Sequence, residues 1–206
     1  MREKSIDINQ RIPLETLSVG LMSFLEGEYS EDYIIQQLRL EFNGENRIKK
    51  SLRIVGKIIV RSPLSGFLLD HKEELKIALR KKSDRNLVLI ALLNCAFPFS
   101  FDAFQLLGKF LSVQDVVNRE TIKKSLSNIY GGNRATEVAL DSVIPMFIEA
   151  GIIKRPKLGL YERDLDLFFT SRLVRSIFEE SYKSVKSINE IQDYQRRDPY
   201  FFFLSN

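Results

Sequence analysis

The 206-residue chain has one cysteine, Cys95, and one histidine, His71. It cannot build an intramolecular disulfide, a Cys/His zinc cluster, or a Ser-His-Asp triad with any redundancy. Its longest apolar stretch, Leu87 to Phe99, is interrupted by Asn94 and Pro98 and falls well short of the roughly 20 residues that span a bilayer. The first residues, Met1 to Asp7, carry charge of both signs and no apolar segment, so no secretory signal is read there and a cytoplasmic protein is expected. Internal repeats and low-complexity tracts are missing. Gly131-Gly132 is a bare pair with no following Lys-Ser or Lys-Thr, so the loop that cradles nucleotide phosphates is not present. Glu162, Asp164 and Asp166 form the one dense carboxylate cluster, without the strand context and partner lysine of a metal-dependent nuclease. His71, between Asp70 and Lys72, reads as a surface or capping residue, and Cys95 as a small buried hydrophobe. No catalytic, metal or cofactor residue is expected, and the chain does not read as an enzyme.

What is present is an uneven distribution of charge. The net charge of +4 is small, but residues 1–44 sum to −4 and residues 45–61 to +5. The second block holds Arg47, Lys49, Lys50, Arg53, Lys57 and Arg61, opposed only by Glu45. Residues 118–163 add a further +3. Charge this concentrated marks a surface.

Apolar spacing predicts a mainly α chain. Leu14, Leu17, Leu21, Phe24 and Leu25 recur at three and four residues, with Pro13 at the first turn and Gly27 at the end. Ser30 caps a second helix with Glu31 and Asp32 in its first turn, closed by Asn43-Gly44. A third follows from about Asn46, with Ile48, Leu52, Val55 and Ile59 inward and Lys49, Arg53, Lys57 and Arg61 at i, i+4 beside them. This is the order of a helix-turn-helix. Ser62-Pro63 stops the helix, 72–82 reads as another, and Ser83 and Asp84 cap Leu87–Ala96, apolar nearly all round and so central. Ser100 is read as the cap of a short helix that Gly108 weakens. Ser112 is read as capping a helical turn through Val113, Val116 and Val117. Asn118 then caps Arg119–Tyr130, and Arg134–Ala150 follows, with Pro145 expected to kink or split it. Ile152-Ile153, a basic loop and Leu160-Tyr161 make a short hairpin or wing. A last helix, Arg172 to Ser184, precedes an aromatic end, Pro199 to Leu204, expected to pack back on the domain.

A helix presenting lysine and arginine at one angle can follow a phosphate backbone and release its counterions. Arg47 and Lys50 stand near the entry of the recognition helix. In the second unit, Arg134 sits at a helix start beside a Gly-Gly turn, and Lys154, Arg155 and Lys157 lie on the wing. An RNA partner is disfavoured because the basic residues are not interleaved with aromatics.

The run Tyr33-Ile34-Ile35-Gln36-Gln37-Leu38 leading through Asn43-Gly44 to Arg47-Ile48-Lys49-Lys50-Ser51-Leu52, the central Arg85-Asn86-Leu87-Val88-Leu89-Ile90-Ala91-Leu92, and Glu149-Ala150-Gly151-Ile152-Ile153 together resemble the BrxA family of bacterial phage-exclusion (BREX) systems. The resemblance covers roughly residues 15–165. Pro145 and the aromatic tail depart from its pattern. It implies an all-helical accessory protein that binds double-stranded DNA through two helix-turn-helix elements and performs no catalysis. Arg47, Lys49, Lys50 and Arg53 on one element, and Lys123, Lys124 and Arg134 on the other, are the contacts it implies.

The sequence therefore predicts a compact, mainly α protein with two helix-turn-helix or winged-helix-like units around an apolar central helix, and at most a small β-hairpin. Residues 1–85 hold the N-terminal helix-turn-helix, 86–117 the central helices, and 118–206 the winged unit and tail. The expected partner is duplex DNA, bound by a monomer without a cofactor. The alternative is an adaptor that docks on a larger methyltransferase or ATPase subunit of a defence system and does not itself touch DNA.

Overall fold

A computed structural model describes residues 5–165 and 168–204. The chain begins with α1 (Leu14–Glu26), α2 (Glu31–Glu41) and α3 (Glu45–Ile58), continues through the short α4 (Ser65–Asp70) and α5 (Lys72–Ala78), and reaches α6 (Lys82–Ala96) and α7 (Pro98–Leu111). A second group follows: β1 (Val116–Asn118), α8 (Arg119–Tyr130), α9 (Arg134–Glu149), β2 (Ile153–Lys154) and β3 (Leu160–Arg163). The chain closes with α10 (Arg172–Lys186) and a 3-10 helix over Pro199–Leu204. It is mainly helical, with one small antiparallel sheet in the order β1-β3-β2. The order α7, β1, α8, α9, β2, β3 is that of a winged helix. Among the described residues no helix is long and apolar enough to cross a membrane.

The punctuation residues act largely as their chemistry demands. Ser30 Oγ accepts from the Tyr33 N–H, and Asn118 Oδ1 accepts from Glu120 N–H at 2.9 Å, each satisfying a donor that the first helical turn leaves free. Gly27 ends α1 with φ 79, and Gly44 opens α3 with φ 96, conformations that a Cβ would strain.

Several local expectations are corrected. Val116–Asn118 is a strand, not a helical turn. Val117 points inward between exposed neighbours, and the backbone pairs with Leu160–Glu162, a pairing that lies far away in sequence. The wing is thus a three-stranded sheet. The predicted 72–82 helix stops at Ala78, and α6 starts at Lys82 with Lys81 as its N-cap. Asp84 does not cap its own helix. It is fully buried, and its carboxylate accepts from the backbone N–H and the hydroxyl of Thr170, both at 2.8 Å. Nor does Ser100 begin α7, which starts at Pro98, where a missing N–H is harmless; Ser100 Oγ instead donates to Asn94 Oδ1 at 2.6 Å. The α9 helix runs unbroken through Pro145. α3 ends at Ile58, so Arg61 lies beyond it, and α10 extends to Lys186.

The core is organised around α6. Every residue from Leu87 to Ala96 is buried, and α1, α3, α7 and α10 pack against it. The aromatic tail packs back, as expected from its apolar content. Tyr200 lies among Phe101, Phe104, Phe178 and Tyr182, with ring centroids 4.5 to 5.8 Å away. Ser181 Oγ donates to the Ala91 carbonyl and lies 2.9 Å from the Tyr200 hydroxyl. With its one proton committed, Ser181 must accept from Tyr200. Asp198 draws the same region together by accepting from Gln105 Nε2, the Tyr182 hydroxyl and the Tyr200 N–H.

Gly108, expected merely to weaken α7, is what admits this tail. A Cβ there would stand 2.1 Å from the Pro199 carbonyl oxygen, a backbone atom with no freedom to retreat. Gly108→Ala should cost about 1–3 kcal/mol by overpacking and expose residues 199–204 to limited proteolysis. Unchanged denaturation and cleavage would contradict the packing.

The same region sets an alkaline limit. Burial first, and then the neighbouring charges of Asp102 and Asp198, push the phenols of Tyr130 and Tyr182 well above their ordinary value, and burial does the same to Tyr200. Their neutral forms are favoured in the fold, so this contribution is complete below the unfolded phenol value of about 10. It is lost as pH rises from there through the folded values. Denaturation midpoints should fall above that pH, and less steeply in Tyr182→Phe.

Candidate nucleic-acid interface

The α2–α3 pair forms the first helix-turn-helix. At about 100° per residue, Ile48, Ser51, Val55 and Ile58 share the buried side of α3, while Asn46, Lys49, Lys50, Arg53 and Lys57 fall on the opposite arc. Lys49, Lys50 and Arg53 are exposed and have no ion-pair partner among the described residues. The nearest acid in sequence, Glu45, is held by Arg39 at 3.1 Å. Arg47 lies over the Phe42 ring, 4.3 Å from its centroid, which fixes its guanidinium at the helix entry.

The i, i+4 series of cations is therefore not uniform. Lys57 pairs with Asp7 and sits 4.4 Å above the Phe97 ring. Arg61, past the end of α3, turns back so that Nη2 donates to the Arg53 carbonyl at 2.9 Å. Its guanidinium lies against Gly56, where an added Cβ would come within 3.0 Å. Lys57 and Arg61 thus belong to a cleft beside α3, whereas Lys49, Lys50 and Arg53 are exposed on the open face, with Lys50 and Arg53 also bordering the cleft.

The winged unit handles its cations differently. Arg119 donates to Asp141 Oδ1 at 2.6 Å, and Lys123 pairs with Glu137 on α9 and with Glu120. The Lys123 hydrogen bond draws Glu137 below the ordinary carboxylate range, and the same bond raises Lys123. Burial is the largest single influence on Arg119 and lowers it, but the hydrogen bond to Asp141 and the charges of Asp141, Tyr161 and Glu120 together outweigh it and leave Arg119 raised. The groove between α8 and α9 is thus neutralised by its own side chains. Lys124 and Arg134 remain exposed, with Asn133 Oδ1 accepting from Thr136 N–H at the start of α9. On the wing, Lys154 pairs with Asp164 at 3.0 Å, Arg155 lies 6.0 Å from the Tyr161 ring centroid, and Lys157 is exposed. The predicted residues therefore fall on two separate units, α3 with the turn after it and the winged unit of α8, α9 and the wing, and are not gathered into one constellation.

Sequence reasoning passed over Asp7, Asn9 and Gln10, which lie beside α3, and the exposed Arg80, Lys81 and Lys82 at the start of α6. The adjacency Arg80-Lys81-Lys82 was the available signal for the second group. Nothing in the sequence signalled the first. Of the carboxylate cluster, Asp164 is paired with Lys154 and Asp166 lies outside the described residues. Among the described residues no three His, Cys, Asp or Glu side chains gather to hold a metal. His71 stacks on Phe67 at 4.3 Å, with Nδ1 2.9 Å from the Phe67 carbonyl oxygen, and Cys95 is buried. Comparison with protein-family models, with curated proteins and with solved structures gives no match.

The contrast between the two units is measurable. Lys50→Gln and Arg53→Gln should each lower affinity for random-sequence duplex DNA about threefold to tenfold at low salt, while Lys123→Gln should change it less than about twofold. Equal losses from both units would contradict the assignment.

Proposed function

We propose that the chain binds double-stranded DNA through the open face of α3 and performs no chemistry on it. One observation carries this reading: the second helix of a helix-turn-helix bears Lys49, Lys50 and Arg53 exposed and without carboxylate partners among the described residues. Such a face matches the spaced negative charge of a duplex backbone. In a helix-turn-helix the recognition helix enters the major groove N-terminus first, which gives Asn46 and Arg47 the position for base edges and Lys49, Lys50 and Arg53 the phosphates. The winged unit supplies a weaker second contact through Lys124, Arg134 and Lys157. The resemblance of the sequence to the BrxA family supports an accessory role in a phage-exclusion system.

The adaptor reading keeps one support, since Leu158 at the wing tip is 89% exposed and Val113 before β1 is 81% exposed on a unit where Arg119, Lys123 and Lys154 pair with its own carboxylates. The tail offers it no support, because residues 199–204 form part of the core.

Replacing Lys49, Lys50 and Arg53 together with Gln should abolish duplex binding while leaving the helical circular-dichroism spectrum unchanged. In the wild type, log affinity should fall with log salt at about −0.9 per contacted phosphate, so the three α3 contacts alone contribute a slope of about −2.7, which any contact from the winged unit steepens. Salt-insensitive binding, or affinity that survives the triple replacement, would refute the proposal.

A further inference from the structure

The C-terminal half of α3 is crossed by the segment that precedes α1. Gln10 Nε2 donates to Ser51 Oγ, and Asp7 pairs with Lys57. Between this arm, α3 and the α6–α7 junction run two adjoining cavities of about 250 and 370 Å³. Both are walled by Asp7, Lys57 and Arg61. Lys50 and Arg53 line the larger one, and Pro63, Ala96 and Pro98 the smaller one.

Four cations face a single carboxylate here. Asp7 answers Lys57, but Arg61 has no carboxylate partner among the described residues. Its Nη2 rests on a neutral carbonyl, and its plane lies against Gly56. A guanidinium held this way keeps its remaining N–H donors in a fixed fork, the geometry that a phosphate accepts. Lys57 is held in place by the Phe97 ring. Cations gathered in one cleft reinforce one another's potential and favour an anion carrying more than one charge-accepting oxygen.

We propose that this cleft is a phosphate site, with the Asp7 carboxylate occupying the Lys57 end until a phosphate group displaces it. The phosphate belongs either to a DNA backbone tracking along α3 or to a free phosphorylated compound. The proposal rests on the DNA reading only in the first case.

Two probes separate these sources: inorganic pyrophosphate and a random-sequence duplex, each titrated at low salt against the full chain. Asp7→Asn, which removes the competing charge while keeping size, should tighten pyrophosphate binding about threefold to tenfold. Lys57→Gln and Arg61→Gln should weaken it, and Lys57→Arg should retain it. If the phosphate is that of the backbone, Asp7→Asn should also tighten duplex binding and steepen its salt slope by about 0.9. A response to pyrophosphate alone assigns the site to a free phosphorylated ligand. An Asp7→Asn protein indistinguishable from wild type with both probes, or pyrophosphate binding indifferent to Lys57→Gln and Arg61→Gln, overturns the proposal. The DNA reading fails separately, if replacing Lys49, Lys50 and Arg53 leaves duplex affinity intact.

Discussion

A helix that is apolar on every side must be enclosed on every side, and α6 imposes that requirement on the rest of the chain. Water is kept from Leu87 through Ala96 by α1, α3, α7 and α10 together, each contributing one apolar stripe. Burying an aliphatic side chain is worth about 1.5–3 kcal/mol, so a run of this length dominates the local energetics. The enclosure also decides what α3 can offer. With Val55 and Ile58 committed to the interior, its lysines and Arg53 are turned outward. The basic face is thus the reverse side of a core contact, held at a fixed angle without any dedicated support.

Polar groups inside this enclosure serve to fix segments. Asp84, in the first turn of α6, receives two donors from Thr170 and so positions the chain entering α10. Asp198 and Ser181 do the same for the tail, which completes the aromatic cluster around Phe104. An unpaired donor or acceptor at such depth costs about 1–3 kcal/mol, and for this reason each tether specifies one arrangement. At the surface the logic is different. Exposed ion pairs contribute only about 0–1 kcal/mol, so Arg119–Asp141 and Lys123–Glu137 matter less to stability than to the field they cancel. One helix-turn-helix has its positive charge neutralised, and the other has it uncovered.

Much of this was legible in the sequence because it is local. Ser30, Asn118, Gly27 and Gly44 mark helix ends through their own side chains or φ angles, and the all-apolar Leu87–Ala96 announces a central helix. What was misread depends on distant partners. Val116–Asn118 becomes a strand because Leu160–Glu162 lies alongside it, Asp84 leaves its cap for Thr170, and Gly108 has no visible purpose until Pro199 reaches it. The candidate site divides in the same way. The spacing of Lys49, Arg53 and Lys57 showed a basic stripe, but not that Asp7 claims Lys57 or that Arg61 folds onto the Arg53 carbonyl. Nor could it show that Lys123 faces Glu137, since that pairing depends on how α8 meets α9.

The central claim is that duplex DNA meets the protein at α3. Backbone amide NMR shifts recorded during titration with a duplex test it most directly. Perturbations should centre on Asn46 through Arg53 and weaken towards α8 and α9. Shifts confined to residues 116–165, with α3 unmoved, would contradict it.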